Sequence, residues 1–206
     1  MLEWLGGFAP ILILLAVVTF VISRLPKIEI SHDPAFRKRR VMNWLPLGLT
    51  YAFLYMARYN LKVSKFAFEQ MEGTGGGPLM GNDAFGIIFG VGTVVYGISF
   101  LINGPLTDKY GGRFSILVGA AGALVMNLLM GLVTMSLLNQ GPGCQYFGSN
   151  FVVVFSVLYG ANMYFQSFGA VAIVKVNASW FHVRERGVFG AIFGILISLG
   201  IYFAFD

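Results

Sequence analysis

The sequence predicts an all-α membrane protein, and three observations predict it. Only 11% of the 206 residues are charged and 57% are hydrophobic, where a soluble domain carries about 25% charge. The apolar residues come in runs near ~20, the length a helix needs to cross a bilayer. Most of the cations sit at the ends of those runs. The formal charge of +5 therefore reads as membrane topology and does not argue for a nucleic-acid partner. The single cysteine, Cys144, excludes an internal disulfide and any multi-cysteine metal site. The two histidines, His32 and His182, lie in loops far apart, so neither a metal nor another cofactor is expected.

The first run, Trp4 to Ser23, is uncharged. Glu3 precedes it and Arg24 and Lys27 follow, the reverse of a signal peptide's charge order. It reads as a retained leading helix within residues 1–25, N-terminus outside; a cleaved signal is the alternative. Residues 26–41 form a polar linker ending in Arg37-Lys38-Arg39-Arg40. Such a cluster directly before an apolar run marks the cytoplasmic side, where it also meets lipid headgroups. The remaining residues, 42–206, form a helix bundle. Its first helix runs from Asn43 to about Phe68 and is followed by a glycine-rich loop, Gly73 to Pro78. Ala84 to Asn103 and Phe114 to Leu138 are the second and third helices. Asn139 to Asn150 is an uncharged loop, Phe151 to about Lys175 the fourth helix, Ser179 to Gly187 a basic loop, and Val188 to Phe205 the fifth helix.

The charges support this alternation. Of the fourteen Lys and Arg residues, Arg24, Lys27, Arg37, Lys38, Arg39, Arg40, Lys109, Arg113, Arg184 and Arg186 all fall on the side read as cytoplasmic. Glycines recur inside helices at Gly86, Gly90 and Gly97, and at Gly187, Gly190 and Gly194. Their spacing predicts faces where neighbouring backbones approach closely.

Arg58 carries the strongest functional signal. It lies near the middle of the first bundle helix, too deep to snorkel easily to either interface. An ionised side chain there costs about 2.5–3.5 kcal/mol and marks a functional site by default. No carboxylate on the first or second helix is placed to neutralise it. A guanidinium facing a cavity suits an anion, whose oxygens its fork binds in pairs; the alternative is an ion pair with another part of the protein. Lys62, four residues on, shares its face, and repulsion between the two favours an anion or water between them. Lys62 is also near enough to the outer end to snorkel. Tyr51 and Tyr55 roughly share the same face and could bond a polar substrate, or simply pack. Tyr159, Asn162, Tyr164 and Gln166 make the fourth helix unusually polar. Lys175, near its cytoplasmic end, reads as a snorkelling lysine or a pathway cation.

The segment Asn103-Gly104-Pro105-Leu106-Thr107-Asp108-Lys109-Tyr110-Gly111-Gly112-Arg113 reads as a short polar loop between the second and third helices. Asp108 is expected to cap a helix or pair with a neighbouring arginine, tying helix ends together in one state and releasing them in another. No nucleophile–base pair or paired carboxylates appear, and Gly73 to Gly77 lacks the Lys-Ser/Thr that completes a phosphate-binding loop. An enzyme is not expected.

That polar segment is similar to the loop signature of the major facilitator superfamily. With Tyr51-x-x-x-Tyr55-x-x-Arg58-x-Asn60, Tyr96-Gly97-Ile98-Ser99, and Phe165-Gln166-x-x-Gly169 followed by Trp180-Phe181 and Glu185-Arg186-Gly187, the chain resembles the organophosphate:phosphate antiporters of that superfamily over roughly residues 37–206. The resemblance implies the N-terminal half of a major facilitator fold, with five of its six core helices and one extra leading helix. It implies a substrate site of Arg58, Tyr51, Tyr55, Lys62, Tyr96 and Gln166, and a gating loop of Gly104, Asp108, Lys109, Gly111 and Arg113, with Glu185 and Arg186. It further implies exchange of a small anionic metabolite for phosphate in a bacterial inner membrane. Phe100 and Ile197 stand where the glycerol-3-phosphate type has a lysine and a histidine, and Gly112 where a basic residue is usual, so the substrate is expected to differ. Two such halves form the site at their interface. The sequence is therefore expected to be a piece of a longer protein or to pair with another membrane chain. The competing expectation is a sensor or transport-inactive subunit with the same fold.

Overall fold

The computed structural model describes residues 33–73 and 75–205, together with Leu12, Ala16, Thr19 and Phe20, which are helical. Most of the expected leading helix, and the linker up to residue 32, lie outside the described residues. Six helices follow: α1 (Pro34–Glu69), α2 (Asn82–Tyr110), α3 (Gly112–Leu138), the short α4 (Cys144–Ser149), α5 (Phe151–Ala178) and α6 (Arg186–Phe205), with a 3₁₀ turn at Val183–Glu185 before α6. No strand occurs among the described residues. Four segments, Asn82–Tyr110, Gly112–Leu138, Phe151–Ala178 and Val183–Phe205, are long and apolar enough to cross a membrane. The chain is an all-α, multi-pass integral membrane protein.

Two helix boundaries differ from the sequence expectation. α1 begins at Pro34, not Asn43, so the Arg37–Arg40 cluster forms its first turns. Proline suits this position because the first turn has no use for its missing N–H. α2 continues through Pro105 to Tyr110, so most of the expected polar loop is helix. Pro105 forfeits one backbone hydrogen bond. Asn103, just before it, is buried against α5, where its Nδ2 donates to Ser167 Oγ at 2.6 Å and keeps the helix end in place. The break between α2 and α3 is Gly111 alone, at φ +88°, in the left-handed region that a side chain would strain. The expected loop at 139–150 also holds α4.

α5 is the centre of the bundle. Half of its apolar stretch is buried within the protein, against 22% or less in the other three spans. α2 and α3 pack along it, and α1 packs on α6 and on α5. α1 and α2 converge through long side chains at one end, where Lys65 Nζ donates to Asn82 Oδ1 at 2.7 Å. At the other end Arg40 of α1 meets Glu185 beside α6. The cations of the first turns of α1, of the α2–α3 junction and of the turn before α6 collect there, at what is called below the basic end.

Lipid chains are as apolar as leucine, so burial alone does not hold such helices together; close packing and internal polar contacts do. Close approach falls on glycines other than those the spacing indicated. Gly119 of α3 lies where a Cβ would come within 3.0 Å of the Phe165 carbonyl of α5, and Gly200 of α6 lies directly on the Ala52 carbonyl of α1. At Gly86, Gly90, Gly97, Gly187, Gly190 and Gly194 an added Cβ would meet nothing within 4 Å among the described residues. Spacing shows that glycines share a face, but not whether a neighbour lies on it.

The apolar interior is split in two. One cluster, around Phe68, Ile88, Phe151 and Phe155, lies toward the glycine-loop end. The other, around Leu47, Leu54, Ile116 and Phe193, lies toward the basic end. Between them, on α1, α3 and α5, runs a layer of polar side chains.

Candidate functional site

Arg58 lies in that layer. Its guanidinium carbon is 4.6 Å from the ring centroid of Tyr55, one turn earlier on α1, and 4.4 Å from that of Tyr96 on α2. Its inner nitrogen, Nε, donates to Gln166 Oε1 of α5 at 2.9 Å. Tyr51 is buried and meets Tyr55 edge-on, ring centroids 5.0 Å apart. Three helices thus bring Arg58, Tyr51, Tyr55, Tyr96 and Gln166 together. No carboxylate forms an ion pair with Arg58 among the described residues. The expected alternative, a structural ion pair, therefore has no partner among them. Ring faces carry negative charge density, so two stacked tyrosines offset part of the desolvation of the cation while leaving it positive.

Lys62 stands one turn beyond. Its ammonium is 4.7 Å from the Tyr59 ring centroid and 5.1 Å from that of Phe89 on α2. Lys65, a further turn on, lies 5.6 Å from Phe85 and 3.9 Å from Glu69. Arg58, Lys62 and Lys65 of α1 therefore face Tyr96, Phe89 and Phe85 of the antiparallel α2 in order. This row of cations on rings is legible only in the tertiary structure.

The polar layer continues past Gln166. Gln166 Nε2 donates to Asn162 Oδ1 at 3.1 Å, and Asn127 Nδ2 of α3 donates to the same oxygen at 3.2 Å. Asn127 is absent from the residues that the sequence singles out. Its signal is a lone amide within the apolar run of α3.

The loop residues hold the basic end. Asp108 pairs with Lys175 of α5, rather than capping a helix or meeting an arginine. The first turn of α3 has no side-chain cap, and the parallel packing of α2 and α5 brings the two side chains level near the ends of both helices. Lys109 lies 5.3 Å from the ring of Tyr110. Arg113 and Arg186 are exposed, and Gly104 lies within α2. Glu185 accepts two bonds from Arg40 Nη1, at 2.9 and 3.0 Å, and a third from the His182 backbone N–H at 3.0 Å. Arg40 also covers the Phe181 ring at 4.8 Å, and Phe36 stacks on Trp180. Among the described residues no cluster of three His, Cys, Asp or Glu side chains could hold a metal ion.

Comparison with known proteins adds relatives. The chain is 24% identical over 177 residues to the membrane sensor protein UhpC of Salmonella typhimurium, a match covering 85% of this chain and 35% of that protein. It is 23% identical over 168 residues to the glycerol-3-phosphate transporter of Bacillus subtilis, covering 82% and 34%. It is 24% identical over 177 residues to the probable hexose phosphate transport protein of Chlamydia trachomatis, covering 84% and 34%. The chain thus spans about a third of the length of the curated relatives it matches. No protein-family model matches it, and neither does a solved structure. The motifs, the helical membrane fold and these relatives agree: the chain resembles the organophosphate:phosphate antiporters of the major facilitator superfamily.

Proposed function

We propose that this chain is part of a secondary transporter that moves a phosphorylated or other organic anion across a bacterial inner membrane, in exchange for phosphate, by alternating access. One observation carries the reading. Arg58 is held on two tyrosine rings and one amide, with no carboxylate among the described residues to neutralise it. A cation kept charged in an apolar interior without an acid is completed by an anionic ligand. The transporters among the relatives are named for glycerol 3-phosphate and hexose phosphate, which supports a phosphoryl group as that anion. Lys62, Tyr51, Tyr55, Tyr96 and Gln166 surround the anchor, and the Asp108–Lys175 and Arg40–Glu185 pairs open and close the basic end during the cycle. The rest of the transport pathway comes from a second set of helices, in the same longer protein or in a partner chain.

The test is phosphate uptake in vesicles by the complete transporter, this chain together with its second set of helices, with phosphate-induced thermal stabilisation as the measure of binding. A charge-assisted contact is worth about 1.5–3 kcal/mol, roughly tenfold to a hundredfold in affinity. Arg58→Lys keeps the charge but loses the fork and is expected to weaken binding by about that factor. Arg58→Gln is expected to remove it while leaving the protein folded. Unchanged phosphate binding by a folded Arg58→Gln protein would overturn the reading. A second reading is favoured by the similarity to the sensor UhpC: anion binding without uptake. Stabilisation by phosphate with no uptake by the complete, unaltered protein would select it.

A further inference from the structure

Gln166 does not meet Arg58 alone. It is the end of a line of amides that crosses the bundle. Gln166 and Asn162 are fully buried and stand one turn apart on α5. Asn162 Oδ1 accepts from Gln166 Nε2 on one side and from Asn127 Nδ2 on the other. Asn127 is tied to its own helix, where its Nδ2 also donates to the Ala123 carbonyl at 2.9 Å. Its Oδ1 faces Asn60 Nδ2 of α1 at 3.5 Å.

This line has a direction. A glutamine amide can turn either its oxygen or its NH₂ toward a neighbour. Toward Arg58 only the oxygen is favourable, because the NH₂ would place a donor against a donor. With Asn162 offering an acceptor, the Gln166 NH₂ has its partner only when Oε1 faces Arg58. Asn127, anchored to α3, holds Asn162 in the same sense. The arrangement leaves Asn162 Nδ2 buried with no partner among the described residues, which is unfavourable. A leucine of similar size would fill the place without that orphan, so packing alone does not account for the amide.

We infer that Asn162 and Asn127 are positioning residues for Arg58. They hold Gln166 in the one orientation that takes the inner nitrogen of the guanidinium, and so fix how its outer two nitrogens are presented to an anion. The inference rests on the reading of Arg58 as the anion anchor. It adds a role for α3, which supplies none of the residues around the guanidinium.

The experiment uses the complete transporter, this chain together with its second set of helices, in vesicles with inorganic phosphate as the probe. It measures the half-saturating phosphate concentration for uptake and the unfolding temperature without phosphate. Asn127→Leu and Asn162→Leu are each expected to raise half-saturation about tenfold, the effect of losing one well-placed hydrogen bond to a charged group, with the unfolding temperature nearly unchanged. On an Arg58→Lys background the same substitutions are expected to add little, because residues acting through one group are not additive. If Asn162→Leu fails to fold, Asn127→Leu, at a half-buried site, carries the test. Unchanged half-saturation in the asparagine variants, or an equal loss on the Arg58→Lys background, overturns the positioning role while leaving the anchor standing. Unchanged half-saturation in Arg58→Lys overturns the anchor and the inference with it.

Discussion

Arg58 and Lys62 rest on aromatic rings, whereas Arg40 and Lys175 at the basic end rest on carboxylates. The two arrangements solve different problems. A ring face stabilises a cation without cancelling its charge, so the positive field between α1 and α2 remains available. A carboxylate cancels the charge and joins two elements: α1 to the segment before α6, and α2 to α5. Pairs that are partly exposed contribute little to stability, so they can break and re-form as helices move. On the proposed function, the middle of the bundle attracts a negative charge and the basic end holds helices together reversibly.

The largest expected effect tests which end is which. In a Cys144→Ser background, Gly75→Cys is expected to react with a membrane-impermeant maleimide in intact cells, and Lys109→Cys only after permeabilisation. The warrant is the concentration of Lys and Arg at the basic end. Reaction of Lys109→Cys in intact cells would turn the molecule over and move the carboxylate pairs to the outer surface.

The next effect separates the two ion pairs. The Arg40 and Glu185 side chains are 19% and 14% exposed, whereas those of Lys175 and Asp108 are 36% and 74% exposed. Arg40→Gln removes two charge-assisted hydrogen bonds from the partly buried Glu185 carboxylate and is expected to cost about 1–3 kcal/mol, seen as a lower unfolding temperature. Lys175→Gln is expected to leave that temperature nearly unchanged. It is expected instead to slow phosphate uptake severalfold without altering phosphate binding, and an Asp108→Lys, Lys175→Asp exchange to recover the rate. A lysine variant that binds phosphate less tightly would place Lys175 with the anion-attracting cations.

The smallest effect concerns Lys62. A cation on rings at a partly exposed site is worth about 0.5–1 kcal/mol, and its field on a nearby anion is of similar size. Lys62→Gln is expected to raise half-saturating phosphate about twofold to fivefold, and to flatten its dependence on salt. No change in either quantity would confine the anion-attracting region to Arg58.

Local chemistry settled a large share of this protein in advance. Run length and charge density sufficed for a helical membrane protein and for the approximate extent of its spans, because a bilayer requires about 20 apolar residues whatever surrounds them. A buried cation is conspicuous in such a run, and Arg58 was legible for that reason, as were its neighbours Tyr55, Tyr96 and Gln166 through the motifs they sit in. Lys175 as the partner of Asp108, Gly119 and Gly200 as points of close approach, and Asn127 and Asn162 as the support of Gln166 became visible only in three dimensions. Each depends on how far one helix is rotated and slid against the next. Hydropathy does not record that, because in a membrane the lipid-facing and helix-facing sides of a span are equally apolar. Only packing and the pairing of a few polar groups distinguish them, and those are properties of the assembled bundle.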